Sequence, residues 1–277
     1  MTLQSSEVRH LHGPKVKPEQ LTTGPKVCVG AGTGLGECYL TQTNDLGDYT
    51  CFPSEGGHVE YAPRNDQEVS LFKYLSKKFE SRHRISVERV VSGKGLANVY
   101  DFLAFANPKK IDQAVHDEFL KAGDEQGRVV AVNAKAGTLC REAMSIMMSA
   151  YGCEVGSAAI KWIPVGGLFV TGGLTPKNID FIQGADTDFM KSYRHKGRVS
   201  PVLERIPLYA VMVEDLGVRG AHKAALMEYE RLYCGGKAAA SPSKTSRDYM
   251  MWTTALAIAA LGFLAGNACP KSFLRTK

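Results

Sequence analysis

The chain has 277 residues, which is enough for one large domain or two small ones with a real hydrophobic core. Hydrophobic residues make up 44% and charged residues 22% of the sequence, as is ordinary for a globular protein, and the formal net charge is +6. Because this charge is small for the length and no Lys/Arg cluster is interleaved with aromatic residues, the composition argues against a nucleic-acid-binding protein.

The first quarter of the sequence predicts two strands joined by glycines. Residues 1–24 carry His, Lys, Pro and Gly with almost no apolar periodicity, so we expect a lead-in segment there rather than a domain. Short runs at 26–29 and 37–41 are typical of strands. Beyond them, Asn44-Asp45 and Gly47-Asp48 predict a turn.

A helix is predicted over residues 67–79, with Asn65 or Asp66 as its N-cap. Its expected buried face consists of apolar residues at helical spacing: Val69, Phe72, Leu75 and Phe79. Residues 85–95 then form a short strand-like run that a second glycine turn closes.

The rest of the sequence alternates helical patterns with apolar runs. The helical patterns cover 96–106, 111–122, 134–161 and 220–232, and the apolar runs that predict strands cover 166–173 and 206–213. The pattern 134–161 is the longest, and its expected buried stripe is Leu139, Ala143, Met147 and Ala150. Thr175-Pro176 predicts another helix start, with Thr175 as N-cap. Buried strands that alternate with helices predict an α/β domain.

The segment Gly30-Ala-Gly-Thr-Gly-Leu-Gly36 is the strongest candidate for a ligand site. Glycines let the backbone approach a ligand and point N–H groups at a phosphate. A Walker loop is excluded because Glu37 follows instead of Lys, and a Rossmann fingerprint is excluded because a strand follows instead of a helix. The pattern predicts a hairpin whose tip holds phosphate, and a plain tight hairpin is the alternative.

Three further features are candidates for binding small polar ligands. In Glu55-Gly-Gly-His58 a carboxylate and an imidazole flank two glycines, as a site for sugar hydroxyls would need, although an exposed polar turn is the alternative. Glu88 either joins such a site or pairs with Arg89. The pair Gly172-Gly173 either accepts the flat face of a nucleotide or forms a helix-entry turn.

Taken in order, these motifs resemble the bacterial-type glucokinases. The resemblance rests on the glycine loop, on Ser-Glu-Gly-Gly-His-Val-Glu-Tyr-Ala-Pro at 54–63 and on Ser-Val-Glu-Arg-Val-Val-Ser-Gly-Lys-Gly-Leu-Ala-Asn-Val-Tyr at 86–100. Phe-Val-Thr-Gly-Gly-Leu-Thr-Pro at 169–176 and Gly-Val-Arg-Gly-Ala-His at 217–222 also look like that family's adenosine motif and terminal helix. The resemblance runs from about residue 25 to 232.

The resemblance implies an actin-like ATPase fold of the ribonuclease-H type and phosphorylation of glucose to glucose 6-phosphate, with ATP and Mg²⁺. On that pattern the glucose-binding residues are Glu55, His58 and Glu88. The residues that match the family's ATP-binding motifs are Gly30, Gly32, Thr33, Gly34, Gly36, Thr171, Gly172 and Gly173. We assign no residue to a metal site, and a homodimer is an open alternative.

The sequence also departs from the family. Glucokinases carry a Gly-Gly-Thr-Asn loop and an Asn-Asp pair, whose Asp takes the proton from the sugar, upstream of the glycine loop; neither occurs here. Asn44-Asp45 lies downstream and is not given that role, so no catalytic residue is identified. Either the sequence is an incomplete record of a glucokinase that lacks the small N-terminal domain, or the protein is a catalytically dead glucose- or nucleotide-binding module. An unrelated α/β domain is the third alternative.

The C-terminal segment lies outside the family pattern. We expect a large domain over 25–234, a linker over 235–248, a hydrophobic helix over 249–268 and a basic tail over 269–277. Residues 249–268 are uncharged for 20 positions, the length of a transmembrane helix. The seven cysteines form no Cys-x-x-Cys pair and no signal-peptide core is seen, which predicts free thiols in a reducing compartment. Together these features predict a tail-anchored protein facing the cytoplasm, and a buried or amphipathic helix is the alternative for 249–268.

Overall fold

The computed structural model of this protein describes residues 3–21, 23–42, 49–81 and 84–229. The chain divides after Met212 into two units. The first holds the sheet and eight of the α-helices of the described residues, and the second holds one helix, Leu216–Tyr229. The predicted turn at Asn44-Asp45, the linker and the hydrophobic tail lie outside the described residues. Within the described residues, no helix is both long enough and apolar enough to cross a bilayer.

In the part of the chain that the structure describes, six strands form one mixed sheet in the order β1-β6-β5-β2-β3-β4. The strands β2, β3 and β4 form an antiparallel meander, and β5 runs parallel to both β2 and β6. The bounds are Val8–His12 for β1, Lys26–Ala31 for β2, Leu35–Gln42 for β3, Tyr49–Ser54 for β4, Leu168–Thr171 for β5 and Leu208–Val211 for β6. This mixed α/β architecture confirms the predicted class.

The longest helix among the described residues is α5, which spans Leu139–Trp162, and several other helices of the first unit pack against it. The other bounds are Asp66–Lys78 for α1, Gly93–Ala106 for α2, Gln113–Lys121 for α3, Gln126–Val132 for α4, Leu174–Lys177 for α6, Ile179–Ile182 for α7 and Asp188–Arg194 for α8. The helix of the second unit is α9. The stripe predicted on α5 is confirmed, because Leu139, Ala143, Met147 and Ala150 are all buried.

The core joins α5 to the alternating face of β2. Val27, Val29 and Ala31 are buried, while the residues between them are partly exposed. The buried Tyr151 of α5 places its hydroxyl 3.1 Å from the Val29 carbonyl oxygen and 3.3 Å from that of Thr171, and both accept from it. One side chain therefore holds the ends of β2 and β5 at a fixed distance from the central helix.

The predicted caps are partly confirmed. Asn65 caps α1, since its side chain accepts from the Glu68 backbone N–H at 2.9 Å. On the same helix Leu75 is buried as expected, but Val69 is 38% exposed and Leu71 takes its place in the core. Thr175 is not an N-cap: it lies inside α6, and its hydroxyl donates to the Thr171 carbonyl oxygen at 2.7 Å.

Two predicted segments differ from the structure in kind. The lead-in contributes β1, which pairs antiparallel with β6, because its few apolar residues find a partner strand that local sequence cannot reveal. The strand-like run at 85–95 forms a 3₁₀ turn, Val87–Arg89, followed by the start of α2. Its Ile85, Val87, Val90 and Val91 are buried by this turn rather than by a sheet.

Candidate functional site

The glycine segment forms the tip of the β2–β3 hairpin, as predicted. Gly30 and Gly36 face each other across the hairpin, and the Gly32 backbone N–H donates to the Gly34 carbonyl oxygen at 2.8 Å. A Cβ atom added at Gly32 or at Gly36 would meet nothing within 4 Å. Packing within the protein therefore does not require glycine at these two positions. The open space beside them is expected of a loop that approaches a ligand.

Glu88 lies against this hairpin tip. Its Oε2 atom accepts from the Leu35 backbone N–H at 2.8 Å, and a Cβ atom at Gly34 would lie 2.5 Å from the same oxygen. The start of α2 adds a second link, in which the Gly93 N–H donates to the Gly32 carbonyl oxygen at 2.8 Å. A residue predicted for the sugar is thus in contact with the loop predicted for phosphate.

The turn that carries Glu55 and His58 also rests on the start of β3. Gly56 and Gly57 are buried, and a Cβ atom at Gly57 would overlap the Leu35 carbonyl oxygen. The flanking side chains point outward, with Glu55 74% and His58 54% exposed, and their Oε2 and Nε2 atoms are 3.7 Å apart. The structure therefore presents a carboxylate and an imidazole together above the two buried glycines Gly56 and Gly57, which we call the glycine floor.

Backbone hydrogen bonds tie this turn to the segment that carries Glu88. The Val87 N–H donates to the Val59 carbonyl oxygen at 2.9 Å, and the Tyr61 N–H donates to the Ile85 carbonyl oxygen at 2.7 Å. The two segments thus run side by side. All three predicted sugar residues are held by segments that contact Leu35 or its neighbour Gly34.

The Thr171-Gly172-Gly173 segment lies on the other side of the hairpin. Because β5 is parallel to β2, Thr171 is opposite Gly30, and a Cβ atom at Gly30 would lie 2.6 Å from Thr171 Oγ1. Gly172 has φ +84°, and a Cβ atom there would overlap the Ala31 carbonyl oxygen, so glycine is required. Ligands of open α/β sheets bind outside the carboxyl ends of parallel strands, which is where this segment and the hairpin tip meet.

Two acidic residues beneath the site were not predicted as functional. The Oε2 atom of Glu37 in β3 lies against Gly56, and Glu154 of α5 is a neighbour of Glu37 on the core side. Burial, reinforced by the charge of Glu154, raises the pKa of Glu37 to about 7. The sequence signal was the strand alternation, which turns Glu37 toward the core face with Val29. Within the described ranges, no group of three or more His, Cys, Asp or Glu side chains is arranged to hold a metal ion.

The fold agrees with solved glucokinases. The crystal structure of glucokinase from Balamuthia mandrillaris in complex with glucose matches with a TM-score of 0.60 at 22% identity, over 74% of this chain and 55% of that one. At this identity the match shows the fold. The fold is therefore that of a glucokinase.

Sequence relatives make the assignment more specific. The chain is 38% identical over 230 residues to the glucokinase of Nostoc punctiforme and 36% identical over 231 residues to that of Nostoc sp. strain PCC 7120. A family model described as Glucokinase matches residues 1–228. The chain belongs to the glucokinase family. Each match covers 79% of this chain and 65% of the relative, so the chain spans about two thirds of the length of these relatives.

The open space at Gly32 allows a test of the predicted phosphate loop. We expect Gly32→Ala to leave thermal stability unchanged, because the new methyl group meets no protein atom within 4 Å. The same methyl group would displace a bound phosphate, and we expect ATP affinity to fall by about tenfold or more, on the order of 1.4 kcal/mol. Calorimetric titration with ATP and a thermal melt measure the two effects.

Gly217→Ala is the matched control, since a Cβ atom there also meets nothing within 4 Å and Gly217 lies in α9, away from the loop in sequence. Equal ATP affinity in wild type and Gly32→Ala would contradict the phosphate-binding role of the hairpin tip.

Proposed function

We propose that this chain carries the glucose site and one of the two phosphate loops of an enzyme that transfers the γ-phosphoryl group of ATP to the 6-hydroxyl of glucose. The observation that best supports this is the contact between Glu88 and the hairpin tip, through Leu35. It places a candidate sugar ligand next to a candidate phosphate loop, and phosphoryl transfer requires the two substrates to be adjacent. Membership of the glucokinase family supports the same reaction.

In this proposal each group acts through ordinary hydrogen bonding. The carboxylates of Glu55 and Glu88 accept from sugar hydroxyls, and the imidazole of His58 donates or accepts according to its tautomer. Backbone N–H groups of Thr33 and Gly34 donate to phosphate oxygens of ATP, while the Gly32 N–H closes the hairpin tip on the Gly34 carbonyl oxygen. The segment from Thr171 to Gly173 borders the adenosine. These roles fit an actin-like large domain.

Magnesium would enter this site with the nucleotide. Mg²⁺ keeps several waters and in kinases binds substrate phosphates with one or two carboxylates. Because the described ranges contain no three-residue group of acidic or imidazole ligands, the ion would depend on the phosphates of ATP for most of its coordination. Mg²⁺ supplies charge neutralisation on the phosphates when it is bound.

Glu55 and Glu88 allow the sugar and nucleotide contributions to be separated. We expect Glu55→Ala to weaken glucose binding by about tenfold or more, at roughly 1.5–3 kcal/mol for a charged hydrogen bond, and to leave ATP binding unchanged. Glu88→Ala should weaken both ligands, because it also frees the Leu35 N–H at the phosphate loop. Calorimetry with each ligand measures these losses.

Glu88→Gln is the informative control, since an amide oxygen can still accept from Leu35 while the negative charge is lost. The ATP affinity of Glu88→Gln should be close to that of wild type, and its glucose affinity should be reduced as in Glu88→Ala. If Glu55→Ala lowers both affinities equally, the sugar site is misplaced.

The catalytic base is not matched by any residue of this chain. General-base assistance is worth about 10²–10⁴ in rate, and the family's first phosphate loop is also unmatched. We therefore expect the 277-residue chain to phosphorylate glucose at or near background. Addition of a segment with the Gly-Gly-Thr-Asn loop and the Asn-Asp pair, taken from a relative, should raise turnover by orders of magnitude.

A coupled assay for glucose 6-phosphate measures this directly. Robust turnover by the chain alone would contradict the expectation and would point to a base outside the assigned residues. Glucose and ATP binding with no gain from the added segment would favour a catalytically dead binding module.

We further propose that residues 249–268 anchor the protein to a membrane with the domain facing the cytoplasm. The support is sequence composition, because a 20-residue uncharged run next to the C-terminus has the length and polarity of a spanning helix. We expect the full chain in the membrane fraction and a chain deleted from Asp248 onward in the supernatant. Equal partition of the two chains between the fractions would contradict the anchor.

Sedimentation of the shortened chain would also show whether it forms a homodimer.

A further inference from the structure

The glycine floor of the Glu55–His58 turn rests on a carboxyl group. Glu37 lies opposite Val29 and Ser54 in the sheet, and a Cβ atom at Gly56 would overlap its Oε2 atom. The Gly56 N–H is already used, since it donates to Ser54 Oγ at 3.0 Å. The carboxyl group of Glu37 is therefore in direct contact with the backbone next to Glu55, on the side away from solvent.

A second carboxyl group lies beneath the first. Glu154 of α5 is 8% exposed, and its carboxyl group is close enough to Glu37 to raise the pKa of that residue. The Oε1 atoms of both residues are buried, and no N–H or O–H group of the described segments donates to either. The Nζ atom of Lys161 is 3.8 Å from Glu154 Oε1, which is longer than a hydrogen bond. Two carboxyl groups can satisfy each other here only if one of them carries a proton.

We propose that Glu37 and Glu154 share one proton and act as positioning residues, which support the Glu55–His58 turn in its sugar-binding conformation and release it when the proton is lost. The proposal rests on the proposed glucose site, because its consequence is a change in sugar binding. Neither carboxyl group touches the sugar in this arrangement. Their effect passes through Gly56.

The carboxyl pair is expected to lose its proton near neutral pH. Burial is the main cause that raises the pKa of both groups, and Glu37 reaches about 7. Loss of the proton leaves two carboxylates facing each other beneath Gly56, and repulsion then favours a displaced turn. The other charged or titratable groups around the pair are Lys161, Lys196 and Tyr151 from the helical side and Glu55 and His58 on the turn.

The sign of the pH dependence follows from the raised pKa. The folded protein binds the proton more tightly than the unfolded chain, whose Glu pKa is near 4.5. The stabilisation by the shared proton is complete below that value and is lost as the pH rises through about 7. Both the melting temperature and glucose affinity should therefore decrease between slightly acidic and slightly alkaline pH.

The test compares the full chain with Glu37→Gln and with Glu60→Gln. Glu37→Gln keeps the size of the side chain and an N–H donor for Glu154 but cannot titrate. Glu60→Gln is the matched control, because Glu60 lies near the same turn and is 70% exposed. Between about pH 6 and about pH 8.5, we expect the glucose Kd of wild type and Glu60→Gln to rise by roughly threefold or more, and that of Glu37→Gln to change less than about twofold.

Carbon-13 NMR of labelled glutamate carboxyl groups provides a readout that does not depend on sugar binding. We expect one resonance with a midpoint near 7 that is absent from Glu37→Gln and shifts in Glu154→Gln. A midpoint near 4.5 for Glu37, or a pH profile of Glu37→Gln equal to that of wild type, would overturn the proposal. If glucose fails to bind at every pH while the midpoint near 7 is seen, the proposed function fails and the shared proton stands.

Discussion

The start of strand β3, at Leu35, is the position on which the candidate site depends. Its backbone N–H donates to the Glu88 carboxylate, and its carbonyl oxygen lies against Gly57. These two contacts bring a turn, a 3₁₀ segment and a hairpin tip to one place. Because both use the backbone of Leu35, the arrangement depends on the path of the chain more than on the leucine side chain, and the glycines at 34 and 57 allow the close approach.

Helix α5 supports this arrangement from the core side. The Tyr151 hydroxyl group donates to carbonyl oxygens at the ends of β2 and β5. Glu154 lies one turn further along the helix next to Glu37, and Glu37 in turn lies against Gly56. A single helix thus supports both the Thr171 side of the candidate site and, through Glu37, its Glu55 side. A polar group buried at such a point is costly unless it is satisfied, so the shared proton has a structural as well as a functional reason.

The groups assigned to the candidate site among the described residues are all proposed binding groups. Candidate ligands for the sugar come from three side chains, and candidate ligands for phosphate come from backbone N–H groups. The chain spans 65% of the length of its Nostoc relatives. Binding is therefore the property that tests the candidate site most directly.

Features that depend on local chemistry could be predicted from the sequence: the glycine hairpin after β2, a helix start capped by Asn65 or Asp66, and the buried stripe of α5. The pairings between residues far apart in the sequence could not be predicted, because they depend on which segments meet in the folded chain. β1 needs β6 as its partner, and Glu88 reaches a residue 53 positions away. The run at 85–95 shows the physical reason. Its apolar residues satisfy strand and 3₁₀ patterns equally, and only the neighbours available in the folded chain select which backbone conformation buries them.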